Sequence, residues 1–136
     1  MADERTFHLT ITTPDRDFYV GDVVKVEINT TEGQIGVLKN HIPLTTVIEP
    51  GVCYLYESDT DVKVCAVHKG FLEVLQDKVT ILAEVAEWPD EIDVERAREA
   101  QIRAERRLAE NVAGTNMTRA TLALKRSAAR IEAAKK

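Results

Sequence analysis

The chain has 136 residues, enough for one ordinary domain or a small domain with an appendage. Its 23 acidic residues outnumber 18 Lys and Arg, and the net charge of −5 argues against nucleic acid as the main ligand, leaving it a minor alternative. No stretch approaches the roughly 18 consecutive apolar residues of a transmembrane helix. The acidic start Met1-Ala2-Asp3-Glu4 is unlike a basic secretory signal. We therefore expect a protein that remains where it is made.

Charge divides the chain into two parts. Residues 1–88 contain 7 Lys and Arg against 15 Asp and Glu, a balance of −8. Residues 89–136 contain 11 against 8, a balance of +3. This asymmetry predicts two units with these boundaries, which face different partners.

The first unit has the pattern of half-buried β-strands, in which apolar and polar residues alternate. This alternation is clear at residues 7–11 and 24–28. Further strands are expected at residues 35–38, 45–48, 52–56, 62–67, 71–75 and 79–85. Turn clusters such as Pro14-Asp15 separate the runs. The spacing predicts an all-β sandwich or barrel that ends near Trp88.

Both cysteines, Cys53 and Cys65, lie inside apolar alternating runs. We interpret them as small core residues in a reducing compartment, with a disulfide between them as the alternative.

Pro89-Asp90 ends the strand pattern, and a helical period begins with Asp93 as the expected N-cap. Gly114 suits the C-cap of a first helix and Asn116 the N-cap of a second, which predicts an antiparallel two-helix hairpin. The expected apolar stripes are Ala97, Ala100, Ala104 and Leu108 on the first helix and Met117, Ala120, Leu124, Ala128 and Ile131 on the second. Alanine-rich stripes bury little area, so the hairpin needs a surface to lie on.

Catalytic motifs are missing from the sequence. No glycine belongs to a Gly-x-x-x-x-Gly-Lys phosphate loop, and neither Ser58 nor Ser127 has a histidine near it in sequence. Cys65 and His68 are three residues apart, which in a strand points them to opposite faces. The histidines and cysteines match no compact zinc spacing. We expect no enzymatic activity of its own and no metal.

One segment, residues 32–44, packs two glycines, a histidine and a proline between two strands. Gly33 and Gly36 suit positive φ or close backbone approach. Pro43 stiffens the path into the next strand. His41 is either a ligand or, as we favour, a histidine hydrogen-bonded within its loop.

This segment closely resembles a signature of the epsilon subunits of F-type ATP synthases, Glu-Gly-Glu-x-Gly-x-x-x-x-His-x-Pro-Leu. Segments that begin at Gly70, Val79, Ile92 and Ala123 are also similar to that family, in its order and spacing. The chain departs from the usual pattern at Gln34 and at His68-Lys69. These departures affect local loop contacts rather than the fold.

The resemblance implies a flattened antiparallel β-sandwich followed by the hairpin, in a central-stalk rotor subunit that catalyses nothing and requires no cofactor. The sandwich would bind the gamma subunit and the ring of c subunits and so couple ion flow to ATP synthesis. The residues implied in that contact are Glu32, Gly33, Gly36, His41, Pro43 and Leu44. The implied location is peripheral, on the cytoplasmic face of the bacterial plasma membrane or the stromal face of the thylakoid.

The hairpin of this family lies against the sandwich or extends toward the C-terminal regions of the catalytic subunits, where it inhibits ATP hydrolysis. Residues 117–131 carry Arg119, Lys125, Arg126 and Arg130 and no acid. Three interpretations remain for these cations, which lack partners on their own helix: a solvated face, docking of Arg119 and Lys125 on acidic catalytic subunits, or nucleotide binding.

The nucleotide hypothesis takes its residues from the family's Ile/Leu-Asp-x-x-Arg-Ala motif, which Ile92, Asp93, Arg96 and Ala97 match. Glu87, Arg126 and Arg130 would complete an ATP site, with the guanidinium groups on the triphosphate. A free-standing ATP sensor or enzyme and a scaffold with a coiled-coil-like tail are the rival interpretations of the whole chain.

Overall fold

The computed structural model describes residues 4–110 and 116–135. Within these ranges eight strands precede a short 3-10 turn and two helices, in the predicted order. The elements are β1 (Phe7–Thr13), β2 (Arg16–Val23), β3 (Lys25–Thr30), β4 (Gly33–Leu38), β5 (Leu44–Ile48), β6 (Gly51–Tyr56), β7 (Val62–Val74), β8 (Lys78–Glu87), the turn Pro89–Glu91, α1 (Val94–Glu110) and α2 (Met117–Lys135). The predicted sandwich followed by two helices is confirmed.

The sheet folds back on itself through its long strand β7. The first half of β7 pairs with β6, its second half pairs with β5, and β3 pairs with β4, β5 and β6. β8 pairs with β7 on one side and with β1 on the other. The β1–β8 pair is parallel, which departs from the purely antiparallel sandwich that we expected.

Two strand predictions need correction. β2 (Arg16–Val23) was not expected, because Phe18 and Tyr19 are adjacent and both buried, which breaks the alternation on which the prediction depended. The register of β1 and β2 shifts next to this pair, between Ile11 and Thr12. β7 was expected as two strands, yet it is continuous through His68, Lys69 and Gly70 because β8 pairs along it.

The core lies between the two layers of the folded sheet. Its largest fully buried side chains include Leu9, Ile11, Ile28, Leu55, Leu72 and Ile81. Cys53 and Cys65 pair directly across β6 and β7, and both are buried free thiols, which confirms their interpretation as core residues. The hydrogen bond with the neighbouring thiol of Cys65, together with burial, raises the pKa of Cys53, so it stays protonated.

Side-chain caps begin both helices. Asp93 Oδ1 accepts a hydrogen bond of 3.1 Å from the Arg96 amide, and Asn116 Oδ1 accepts one of 3.0 Å from the Arg119 amide, so both predicted N-caps are confirmed. The C-cap predicted at Gly114 lies outside the described residues. Val94, the first residue of α1, packs in one apolar group with Ala133 near the end of α2, so the helices run antiparallel.

The predicted stripe on α2 is only partly right. Ala120 is buried as expected, but Met117 and Ala128 are exposed, whereas Ala129 and Ala133 are buried. α2 packs against both α1 and strands β6 and β7, so it buries more than one face. No helix in residues 4–110 and 116–135 is long and apolar enough to cross a membrane.

Candidate functional site

The strongest polar contact between the hairpin and the sandwich involves His68, Glu87 and Arg130, which we call the Glu87 cluster. Glu87 is the last residue of β8, His68 lies on β7 and Arg130 on α2. Glu87 Oε1 accepts a hydrogen bond of 2.8 Å from Arg130 Nε and contacts His68 Nε2 at 3.0 Å. A single carboxylate oxygen therefore joins two strands and a helix.

The environment of Glu87 acts on its ionisation in two directions. Burial raises the pKa of this carboxyl, but the hydrogen bonds from His68 and Arg130 and the charge of Arg130 outweigh burial and hold the pKa below its ordinary value. Glu87 is therefore a carboxylate at neutral pH. Its charge makes the bond to Arg130 a charge-assisted one.

Apolar contacts surround this polar cluster. A buried group consists of Val52 of β6, Ala66 of β7, Ile92 just before α1, and Ala133 of α2. Val94, the first residue of α1, packs against this group. Val52 and Ala66 form a cross-strand pair next to the core pair Cys53 and Cys65, so β6 and β7 present alternate residues to the core and to the hairpin. Apart from Ile92 its side chains are small and bury little area.

A second ion pair ties α2 to the sandwich. Lys125 Nζ lies 3.5 Å from Glu49 Oε2, in the link between β5 and β6. Lys125 and Arg130 thus have acidic partners far away in sequence, although residues 117–131 contain no acid. The prediction concerned partners on the same helix, and the contacts of Lys125 and Arg130 with the sandwich were not predicted because Glu49 and Glu87 are distant in sequence.

The residues predicted to bind nucleotide lie on and beside this contact. Glu87 and Arg130 are bonded to each other, Ile92 packs against Ala133, and Ala97 is buried on α1. Asp93 caps α1 and is otherwise exposed. Arg96 is exposed and Arg126 partly buried, and neither forms an ion pair with any residue of the described ranges. Arg130, by contrast, is paired with Glu87.

The segment at residues 32–44 lies elsewhere, at the turn between β3 and β4 and at the approach to β5. The Glu32 amide donates a hydrogen bond to Thr30 Oγ1, which itself donates to the Gly33 carbonyl at 2.7 Å. His41 Nδ1 contacts the Ile42 carbonyl at 2.7 Å, as expected for a histidine bonded within its loop.

Apolar side chains of the same segment project into solvent. Ile42 is 75% exposed and Leu38 is 56% exposed. Pro43 is exposed between them and β5, while Leu44 packs against the core and anchors the segment. The loop has the exposed apolar character of a protein contact.

The two glycines of this segment differ from each other. Gly33 has a φ of 109°, which L-residues rarely adopt. Gly36 has no positive φ and lies within β4, so the expectation of positive φ there is wrong. A Cβ at Gly36 would meet the flexible end of Lys25 at 3.2 Å and would make an ordinary contact with Glu27 Cγ at 3.9 Å.

An apolar row on the outer face of the sheet was not predicted. Val47, Phe71 and Leu82 are paired directly across β5, β7 and β8 and are 41%, 53% and 52% exposed. With Gly70 and Lys69 they line an open groove of about 400 Å³. The three apolar residues are far apart in the sequence, and only the strand register shows that they are neighbours.

Among the described residues, no group of three His, Cys, Asp or Glu side chains is arranged to hold a metal ion. His8 bonds to Asp22 at an exposed site of β1 and β2. The His68 ring is the feature that sequence reasoning treated as merely structural and that lies at the hairpin contact. The sequence does contain a sign of it, because His68 directly follows the apolar run Val64–Val67 within β7.

Comparisons with known proteins agree over nearly the full chain. Residues 6–89 match the family described as "ATP synthase, Delta/Epsilon chain, beta-sandwich domain", and residues 90–135 match "ATP synthase, Delta/Epsilon chain, long alpha-helix domain". The ATP synthase epsilon chain of Caldanaerobacter subterraneus subsp. tengcongensis is 45% identical over 133 residues, 98% of this chain and 96% of the relative. That of Halalkalibacterium halodurans is 46% identical, over 95% of this chain and 97% of the relative.

Solved structures share the fold. A chain in the cryo-EM structure of the Euglena gracilis mitochondrial ATP synthase (OSCP/F1/c-ring) has a TM-score of 0.81 at 24% identity, and the match covers 100% of this chain and 85% of that chain. A chain of the Tetrahymena thermophila mitochondrial ATP synthase central stalk and c-ring structure has a TM-score of 0.56 at 14% identity.

Proposed function

The chain belongs to the ATP synthase delta/epsilon family, as an epsilon subunit without catalytic activity, and we propose that its sandwich couples the central stalk to the c-ring while its hairpin regulates ATP hydrolysis. One observation carries the division of labour: α2 is held to the sandwich by two ion pairs and a small group of mostly short side chains. Such a contact is weak enough to be exchanged for another.

Two exposed surfaces support the coupling role of the sandwich. The segment at residues 32–44 presents Leu38 and Ile42 to solvent, and the row of Val47, Phe71 and Leu82 presents a second apolar surface. Apolar patches on a small domain are typical of protein interfaces. We infer that the gamma subunit and the c-ring cover them, with Glu32, Gly33, Gly36 and His41 shaping the first.

The composition of the hairpin supports its regulatory role. Its cations Arg119 and Arg126 form no ion pair within the described ranges, and Lys125 and Arg130 hold theirs through acids of the sandwich. When α2 leaves the sandwich, all four become available to an acidic surface. The C-terminal regions of the catalytic subunits are the partner proposed for this extended state.

A nucleotide ligand for the docked hairpin is proposed on the same contact. Arg96 and Arg126 would bind the triphosphate together with Arg130, beside Ile92, Asp93 and Ala97. ATP bound there would favour the docked hairpin by its differential affinity for the two states. It would act as a regulatory ligand rather than as a substrate or a required cofactor.

The chain is proposed to work as a peripheral component on the cytoplasmic face of the bacterial plasma membrane. A location on the stromal face of the thylakoid would follow if the source is a plastid. The membrane association in either case is carried by the c-ring rather than by this chain.

Co-purification tests the coupling role. The tagged full chain is expected to recover the gamma subunit and the c-ring in fixed stoichiometry, and Phe71→Asp is expected to reduce that recovery at least several-fold. Ile102→Asp on the exposed face of α1 is the matched control and should leave recovery unchanged. Recovery of a different partner would favour the scaffold, and recovery of none would favour a free-standing ATP-binding protein. A folded Phe71→Asp variant that assembles normally would show that the row is not the contact.

A further inference from the structure

The chain between the sandwich and the hairpin, residues 88–91, is attached to β2. Trp88 stacks on Phe18 with ring centroids 4.3 Å apart, and the ring of Tyr19 meets it at a steep angle at 6.3 Å. Aromatic pairs in these two arrangements stabilise a contact beyond the burial of their surfaces. β8 pairs with β7 up to Glu87, the residue before Trp88. The sheet and the aromatic contacts therefore fix the chain as far as Trp88.

An ion pair fixes the residues that follow. Glu91, the last residue of the 3-10 turn, accepts hydrogen bonds from Arg16 Nη2 on both carboxylate oxygens, at 2.8 and 2.9 Å. Glu91 Oε1 also accepts one of 2.9 Å from the Trp88 amide, and the Glu91 amide donates to the Trp88 carbonyl at 2.9 Å. The Arg16 guanidinium lies 5.0 Å from the centroid of the Phe18 ring. These four residues form one connected unit, which we call the β2 clamp.

The attachment of the chain changes at Ile92. This residue packs in the buried group with Val52, Ala66 and Ala133, of which Ala133 belongs to α2. Its backbone is extended, with φ −90° and ψ 126°, between the 3-10 turn and α1. Asp93, the next residue, is exposed and caps α1. α1 itself packs mainly on α2. The position of the chain after the clamp therefore depends on the docked hairpin.

We propose that the β2 clamp fixes the pivot of the hairpin at Ile92 and Asp93: when α2 leaves the sandwich, residues 88–91 stay on β2 and the backbone rotates at the two residues that follow. The proposal rests on the proposed function in that α2 must be able to leave the sandwich. It makes Arg16 and Glu91 positioning residues, because they decide which backbone bonds rotate.

The partners of each contact support this order of events. The contacts of the clamp join β2 to Trp88 and Glu91, so the departure of α2 removes none of them. The bond from Arg130 to Glu87 and the packing of Ala133 are lost when α2 leaves, and both lie outside the clamp. Opening the clamp as well would break the aromatic stack and the ion pair without forming any new contact. Hinges commonly lie at a few residues between elements, as Ile92 and Asp93 do.

A fixed pivot keeps the sandwich closed in both positions of the hairpin. Trp88 packs against the hydrophobic core beside Phe18 and Tyr19, so a turn that left with the hairpin would expose the core at β2. With the clamp closed, the surfaces proposed for coupling do not change when α2 leaves. α1 has 17 residues and a length of about 26 Å, so its far end moves most as it swings about its first residue.

A variant with a released hairpin is needed to test the pivot. Lys125→Gln and Arg130→Gln remove the two ion pairs of α2 with the sandwich, and Ala133→Asp places a carboxylate in the buried group. The full chain with these three substitutions, all on α2, is the release variant. A change in the NMR shifts of the Val52 methyl groups verifies that α2 has left.

Fluorescence reports on the clamp directly, because Trp88 is the only tryptophan of the chain. In the release variant, quenching of Trp88 by acrylamide is expected to remain as in the wild type. Hydrogen exchange of the Glu91 amide, which donates to the Trp88 carbonyl, is expected to remain equally slow. A several-fold rise in both quantities would show that the turn leaves with the hairpin and would overturn the proposal.

Spin labels locate the pivot along the chain. Val20→Cys on the exposed face of β2 is combined with Asp90→Cys in the 3-10 turn, or with Glu99→Cys on α1, and the native cysteines are buried. Release is expected to leave the distance between positions 20 and 90 unchanged and to shift or broaden the distance between positions 20 and 99. A change in both distances would place the pivot before the turn and refute the proposal.

Charge reversal tests the role of Arg16 against a matched control. Arg16→Glu replaces the ion pair with Glu91 by a repulsion, so in the release variant it should speed exchange of the Glu91 amide by about fivefold or more and broaden the distance between positions 20 and 90. Arg98→Glu creates the same repulsion with Glu95 within α1 and should change neither quantity.

Glu91→Gln provides a second variant at the clamp. It keeps an acceptor for the Trp88 amide and loses the charge that Arg16 binds, so its effect should have the same direction and be smaller than that of Arg16→Glu. If Arg16→Glu and Glu91→Gln both behave as Arg98→Glu does, the clamp does not position the pivot. Co-purification with the gamma subunit and the c-ring does not depend on the position of the pivot, so that experiment tests the rotor proposal separately.

Discussion

Nε of Arg130 in α2 and Oε1 of Glu87 at the end of β8 lie 2.8 Å apart, and this bond joins residues 43 positions apart in the chain. Both side chains are only partly buried, so water competes with the bond. The polar attachment of the hairpin is thus open to competition from solvent. The consequences of this attachment can be measured.

Glu87→Gln should loosen the hairpin by about 1 kcal/mol, because it removes the charge from a charge-assisted hydrogen bond. Amide hydrogen exchange in α2 measures this loss, and Glu49→Gln at the more exposed Lys125 pair should cost about 0.5 kcal/mol or less. The pKa of Glu87 is lowered in the folded protein, so its stabilising effect exists above the ordinary carboxyl pKa and is lost as pH falls through the lowered value. Glu87→Gln should therefore reduce the loss of α2 stability at acidic pH. An unchanged loss in this variant would contradict the assignment of the effect to Glu87.

Gly70→Ala should destabilise the sandwich by about 3 kcal/mol, because the added Cβ would lie 1.9 Å from the Leu82 carbonyl oxygen and would force β7 and β8 apart. Gly33→Ala should cost about 1–3 kcal/mol through its φ of 109° alone. Gly36→Ala is the control, with an expected change near zero. Denaturant unfolding of the three variants measures the order, and equal stabilities at positions 36 and 70 would contradict it.

His41→Ala and Gly36→Val should weaken assembly with the gamma subunit and the c-ring and uncouple hydrolysis from ion pumping. Gly36 lies in β4 without positive φ, so Gly36→Val is expected to remain folded, and thermal unfolding of the isolated chain verifies this. Coupled ATP hydrolysis and ion transport in reconstituted complexes measure the effect. Normal coupling by both folded variants would remove the segment at residues 32–44 from the interface.

Truncation after Trp88 should leave a folded sandwich that still assembles and that no longer restrains ATP hydrolysis. Trp88 stays attached because its ring stacks on Phe18 at 4.3 Å between centroids. The truncated chain should lose a little stability, since Val52 and Ala66 lose their cover. Circular dichroism and gamma-subunit binding are the measurements. Loss of gamma binding by the folded fragment would show that the division of labour is wrong.

ATP should bind to the isolated full chain, and Arg96→Ala and Arg126→Ala should each weaken binding about tenfold or more through lost charge-assisted contacts. Arg103→Ala, on the exposed surface of α1, is the control for a general loss of positive charge. Calorimetric titration gives the affinities. If no saturable binding occurs at millimolar ATP, or if the three variants behave alike, the arginines serve partner docking instead.

The sequence predicts most elements here because their signals are local. Alternation fixes strands such as β3, and side-chain caps fix the starts of both helices at Asp93 and Asn116. β2 was not predicted because Phe18 and Tyr19 are both buried beside a register shift, where the alternation of apolar and polar residues fails. The ion pairs of Lys125 and Arg130 were not predicted because Glu49 and Glu87 approach them only in the folded chain. Local sequence patterns therefore predict secondary structure and helix caps, whereas contacts between distant side chains become visible only in the tertiary structure.

The parallel pairing of β1 with β8 has a consequence for synthesis of the chain. His8 of β1 pairs with Lys78 of β8, so the sheet is complete only when the first and the last strand have come together. During translation the sandwich can close only after β8 has emerged from the ribosome, and α2 follows later still. The hairpin therefore meets a finished surface, and its attachment is the last step of folding rather than a nucleus for it.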